Sequence, residues 1–244
     1  MPQSTFLVRT TEYIDALHPT AVNTNVWNLG TIAAGGSKLN LDRCLGAFDV
    51  FGAALAGRPL VLSDVISDAE LILNCGAILG PGGWAASIER ITRADWDAAS
   101  GDWNNYKAGS LWTTAGGDVA TPPAAVSFTS PSARGDATIG GVLAFVTDAI
   151  ASRGGKVLLR LRANDESTSA GTKWAGYRAD PSLTVAPRLR VTYVSADPSP
   201  IARLIAGTLA GDRAAPIARA DLAALPEQAA RRPARATRPP SRQE

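Results

Sequence analysis

The sequence predicts an all-β body, a jelly-roll-like β-sandwich, followed by a C-terminal tail of another character. Three observations carry this expectation. Short apolar stretches alternate with turn residues through the body, the pattern of a sandwich or barrel. Composition is that of a globular chain, with 45% hydrophobic and 19% charged residues, and a body of this length buries a core without metal or disulfide staples. From Asp197-Pro198-Ser199-Pro200 onward the alternation gives way to Ala, Arg and Pro. The chain therefore divides into a body, 1–196, and a tail, 197–244, that is extended or short-helical.

Phe6-Leu7-Val8-Arg9-Thr10-Thr11 is a β-rich opening, followed by Tyr13-Ile14-Asp15 and a polar loop from His18 to Asn25. Trp27-Asn28-Leu29 starts another strand, and Gly35-Gly36-Ser37 is a turn. In Cys44 to Phe51, the residues Cys44, Phe48 and Val50 share parity and mark a core strand. In Glu70 to Cys75, Leu71, Leu73 and Cys75 face inward while Glu70, Ile72 and Asn74 face the other way. Gly80-Pro81-Gly82-Gly83 breaks the chain before a strand from Ala85 to Ile91. The stretch from Asp95 to Asn104 is an ordered polar and aromatic loop, and 116–138 is a loose segment. Leu143 to Ile150 fits a short helix or an irregular segment. Val157 to Arg162 is a strong strand, and Leu189 to Val194 is the last strand of the body.

The net charge of +2 points to no particular partner. Cys44 and Cys75 share parity with the apolar residues of their strands, which predicts buried free thiols over a disulfide. One histidine, His18, and two distant cysteines do not make a structural zinc site, and no cofactor motif is present. The start lacks a basic stretch followed by an apolar one, so synthesis in the cytoplasm without general secretory export is expected. No apolar run approaches the ~18 residues that span a bilayer.

Asp95, Asp97 and Asp102 lie near Trp96 and Trp103, and carboxylates beside aromatics are also the parts of a glycosidase. The preferred reading is structural, with the tryptophans capping one end of the sandwich and the aspartates bonding turns. Asp64, Asp68, Asp95 and Asp97 offer calcium ligands, but at no recognised loop spacing. No catalytic set emerges, and a non-enzymatic protein is expected. Trp27, Trp84, Trp112 and Trp174 are candidates for an exposed platform that contacts glycan, with core or rim packing the alternative for each.

In the tail, Ile201, Leu204, Ile205 and Leu209 recur at i, i+3, i+4 and i+8 after Pro200, which suits a first helical turn. A helix this short is marginal alone, so the stripe must be buried on the body or on a partner. Pro216-Ile217-Ala218-Arg219 repeats Pro200-Ile201-Ala202-Arg203, and a second weak helix carries Leu222 and Leu225. The end, with Arg231, Arg232 and Arg235, is basic and proline-rich, suited to phosphates or an acidic protein surface but too sparse for specific nucleic-acid reading. These ten residues are the expected partner-docking set.

The body resembles the DNRLRE-type β-sandwich, related to TGF-β propeptide-like carbohydrate-binding modules. The resemblance rests on Thr10 to Asp15 with Pro19 and Asn23, on Arg43 to Val50, on Ile66 to Leu73, on Ile88-Glu89-Arg90-Ile91 with Asp95-Trp96 and Trp103-Asn104, then Trp112, and on Pro187 to Tyr193. Gly46 departs from it, standing where the family carries a large apolar residue. The resemblance covers roughly 6–194 and implies a jelly-roll of the kind found in bacterial surface proteins and tailed-phage virion proteins, some of which bind polysaccharide. With no export signal and a docking tail, the expected role is a multi-copy structural component of a tailed-phage or phage-like particle, in the head, capsid decoration or tail. The alternative is a carbohydrate-binding module for bacterial surface polysaccharide.

Overall fold

The long strand β5 (Val65–Leu79) is the spine of the molecule. Leu71, Leu73 and Cys75 point into the main core, as their parity predicts. On the opposite face Glu70 pairs with Arg190 and Asn74 donates to Asp136, whereas Ile72 is buried there despite facing away from the main core. This computed structural model describes residues 1–22, 26–33, 39–167, 171–180 and 185–195.

The other strands are β1 (Gln3–Leu7), β2 (Thr10–Asp15), β3 (Val26–Ala33), β4 (Leu39–Asp49), β6 (Ala85–Ile91), β7 (Asn105–Lys107), β8 (Ser110–Leu111), β9 (Val119–Ala120), β10 (Val126–Thr129), β11 (Gly135–Ile139), β12 (Lys156–Ala163), β13 (Lys173–Arg178) and β14 (Arg188–Val194), with one helix, α1 (Leu143–Ser152). Twelve strands form one antiparallel sheet along the path β1-β14-β5-β13-β3-β4-β12-β6-β10, with β11 beside β5, β2 beside β4 and β9 beside β6. β7 and β8 form a separate hairpin.

Strands from both ends of that path share one core. Phe6 of β1 and Leu189 of β14 belong to the same buried cluster as Ile88 of β6, Phe48 of β4 and Tyr177 of β13. The sheet therefore curls until its inner face meets itself, giving the sandwich-like all-β architecture. α1 adds Phe145, Val146 and Ala149 to this core and ends at Gly154-Gly155, both with positive φ. Cys44 and Cys75 are buried and free.

A second apolar layer lies on the outer face of β2, β4, β12 and β6. Ile14, Leu45, Leu158 and Ile91 meet Trp96, Ala98 and Trp112 of the segment 92–118, with Trp103 and Tyr106 packed alongside. This segment is a strap across a sheet face. The expectation of tryptophans capping one end of the sandwich is corrected accordingly. The segment 116–138, expected to be loose, contributes β9, β10 and part of β11. There Val126 and Phe128 alternate with exposed Ser127 and Thr129, a half-buried strand pattern masked by the Pro and Gly on either side. β13 was not foreseen either. Its inward residues are only Ala175 and Tyr177, too few to stand out among Lys173, Gly176 and Arg178.

Candidate functional site

The four candidate tryptophans part company in the structure. Trp27 is fully buried, its indole N–H donating to the Leu45 carbonyl at 2.9 Å. Its ring lies over Gly46, where a Cβ would come within 2.2 Å of it. Trp112 is buried under the strap, its N–H donating to the Asp102 carbonyl at 2.9 Å. Neither belongs to an exposed platform, because each has its ring in apolar packing and its polar edge satisfied by backbone. Trp84 is half-buried against the main core, its Nε1 buried without a partner among the described residues.

Trp174 is half-buried and ends a row of side chains. By register it stands opposite Gly30, Gly30 opposite Asp42, and Asp42 opposite Asp15. Gly30 has φ +127°, and a Cβ there would lie 2.1 Å from the Lys173 carbonyl oxygen, so only glycine fits. Across the space glycine leaves, Trp174 Nε1 donates to Asp42 Oδ2 at 3.1 Å. Asn40 donates to the other oxygen of Asp42 at 3.1 Å. Asp15 accepts the Leu17 N–H at 2.7 Å, and its Oδ2 lies 2.7 Å from Nδ1 of His18, a loop residue with an exposed ring. Burial, with the Asp15 charge added, pushes the Asp42 carboxyl up to about 7. Directly opposed carboxylates repel, and a proton on Asp42 relieves that repulsion.

A polar cleft of about 450 Å³ opens beside the strap, lined by Thr92, Arg93, Thr113, Thr114, Asp118 and Arg160, among others. The Arg93 guanidinium sits over the Tyr106 ring at 4.6 Å, with its Nε 3.5 Å from Asp118. Asp118 accepts the N–H groups of Thr113 and Thr114 at 2.9 and 2.7 Å. Burial works to raise its carboxyl, but these bonds and Arg93 prevail and hold it below the usual range. The floor is built from Arg160, which is buried, bonds Glu89 at 2.6 and 3.0 Å, and donates to the carbonyls of Gly116 and Gly117. Arg43 bonds Glu166 at 2.7 and 2.9 Å, donates to the Gly116 carbonyl and lies 4.7 Å from the Trp103 ring. Arg162 reaches Glu89 at 3.2 Å.

The aspartates singled out as calcium ligands are otherwise engaged. Asp64 pairs with Arg58, Asp68 accepts the Ala69 N–H, Asp95 pairs with Lys107, and Asp97 accepts a turn N–H as expected, as does Asp102 outside the calcium set. Among the described residues no group of three or more His, Cys, Asp or Glu residues is placed to hold a metal ion.

A third surface went unread in the sequence, although the run Leu60-Val61-Leu62 ahead of Asp64 could have flagged it. Val61, Leu62, Val65 and Val194 are exposed at the start of β5, where Val65 pairs with Val194. A hollow of about 520 Å³ there is lined by Phe51, Leu60, Val61, Leu62 and Ser63. Arg58 ties this end together, bonding Asp64 at 2.7 and 2.8 Å, donating to Ser195 Oγ at 3.2 Å and covering the Tyr193 ring.

The docking residues named in the tail, Ile201 to Arg235, lie outside the described residues. Among the described residues no helix is long and apolar enough to cross a membrane. No family model matches the chain, and no curated protein matches it.

Proposed function

We propose that this chain is a non-enzymatic assembly module, a multi-copy structural component of a phage-like particle that joins other subunits. The observation that carries the reading is the apolar end of the body. Leu62 is 75% exposed and Val65 64%, beside Val61 and Val194, on a body whose strands elsewhere carry charge pairs such as Arg43–Glu166, Arg160–Glu89 and Arg190–Glu70. A cluster of apolar side chains around a hollow is the usual mark of a protein contact. The sandwich-like fold, the motifs resembling DNRLRE-type domains and the apolar stripe in the tail support the same role. Leu62→Glu is expected to cut incorporation into particles about tenfold, equivalent to ~1.4 kcal/mol, with the isolated fold unchanged. Deleting 197–244 is expected to abolish incorporation. Wild-type incorporation of both variants in a co-assembly assay would sink the reading.

A second reading, a module that binds neutral saccharide, draws on the cleft beside the strap. Its wall presents a guanidinium and an ionised carboxylate side by side, Arg93 and Asp118. An anion would meet Asp118 and a cation would meet Arg93, whereas vicinal hydroxyls accept from one and donate to the other. The volume suits a small ligand. On an array of neutral and uronic-acid glycans, this reading expects saturable binding to neutral glycans that Arg93→Ala removes. Binding that survives Arg93→Ala, or none, overturns it.

A further inference from the structure

Beneath the strap lies a buried carboxyl with no ion-pair partner among the described residues. Glu12 of β2 is fully buried, opposite Leu45 and on the outer face with Ile14. One carboxyl oxygen accepts the Trp96 indole N–H at 2.9 Å, and the other, Oε1, has no hydrogen-bond partner among the described residues. The strap backbone closes over it, since a Cβ on Gly101 would come within 2.7 Å of Oε2. The titratable groups that act on it are Asp102 and Asp97, both acidic and both in the strap. Cations of the strap and of the strands beside β2 are engaged elsewhere: Arg43 of β4 with Glu166, Arg93 with Asp118 and Lys107 with Asp95, while Arg9, just ahead of β2, donates to the Ala53 carbonyl.

We propose that Glu12 is a proton-dependent latch for the 92–118 strap, holding it shut when neutral and loosening it when ionised. A neutral carboxyl sits under Trp96 at modest cost. An ionised one, without water or a cation, stands among apolar side chains and two carboxylates, a state that opening relieves. What opening uncovers is the apolar face of Ile14, Leu45, Ile91 and Leu158. Burial first, and then the two aspartates, raise the Glu12 carboxyl from 4.5 to about 8 against the opposing Trp96 bond. Because the closed-state value lies above the open-state value, closure is fully favoured below pH ~4.5, weakens as pH rises toward about 8, and is constant beyond.

The test is hydrogen exchange on the full chain from pH 5 to 9, corrected for intrinsic rates. Protection of strap amides 95–112 is expected to fall by up to ~tenfold per pH unit between pH 5 and 8 and then level off. In Glu12→Gln, which is always neutral, protection is expected to stay flat. Amides of β5 and β13 report global unfolding. A flat wild-type profile would overturn the latch, as would strap and β5 amides losing protection in step. If Glu12→Gln folds poorly, wild-type strap amides that keep their protection from pH 5 to 8 still rule the latch out, and Asp42→Asn, expected to leave the strap profile unchanged, separates Glu12 from the other raised carboxyl.

Discussion

Replacing Trp27 by alanine is expected to destabilise the body by about 4 kcal/mol, the middle of the range for a large aromatic side chain removed from a closed core. The indole is fully buried, and its hydrogen bond to the Leu45 carbonyl goes with it. The neighbour that receives the ring is Gly46, so the reciprocal change should also hurt. Gly46→Leu drives a side chain into space where the first added carbon would already lie 2.2 Å from the ring, an overpacking cost of ~3 kcal/mol or more. The double variant should cost at least ~1 kcal/mol less than the sum, because leucine refills part of the space the indole leaves. Urea denaturation of the four proteins gives the coupling. Strict additivity would show that the two positions do not share that volume. The same pair explains why glycine stands at position 46 of β4: the bulk that fills this space comes from Trp27 of β3.

The second large effect is expected at Arg160. Replacing it by methionine keeps the buried stem but removes the guanidinium. Glu89 is then left with Arg162 alone, and the carbonyls of Gly116 and Gly117 lose a donor. Removing one member of a buried pair costs about 3–5 kcal/mol. For a domain of this size that corresponds to a fall in Tm of roughly 10 °C. Lysine should rescue little, since a single ammonium cannot bond Glu89 and two carbonyls as a planar fork does. A loss below ~1 kcal/mol in thermal melts would mean that the network is dispensable.

Much of the architecture was legible because the core strands obey strict parity. β6 was expected at the residues it occupies, and Leu71, Leu73 and Cys75 were placed correctly. α1 was legible only as an alternative, since its apolar residues fit a helical turn or a strand equally well. Strand existence was lost where burial is shared by few residues, as in β13, or where prolines surround a short strand, as in β10. The sites were less legible for a different reason. Trp27, Trp84, Trp112 and Trp174 look alike in sequence, and only the pairing of distant strands decides which indole is buried. The Asp15–Asp42 pair needs the β2–β4 register, and Arg93 meets Asp118 only because the strap returns to β6 through β9. Glu12 reads as an outward residue of a surface strand until something is known to lie on top of it.

The position of β14 has a consequence for how the body is made. β14 lies between β1 and β5, pairing residues 3–7 with 188–192 and 65–72 with 188–194. Until the residues near 190 emerge from synthesis, the first strand has no β14 to pair with and half of β5 stays open along that edge. Pairings this distant in sequence form slowly, so the nascent body spends much of its synthesis with an unpaired apolar border. Any chain that stops short of Arg188 should therefore be recovered as aggregate, however complete the rest of its sheet.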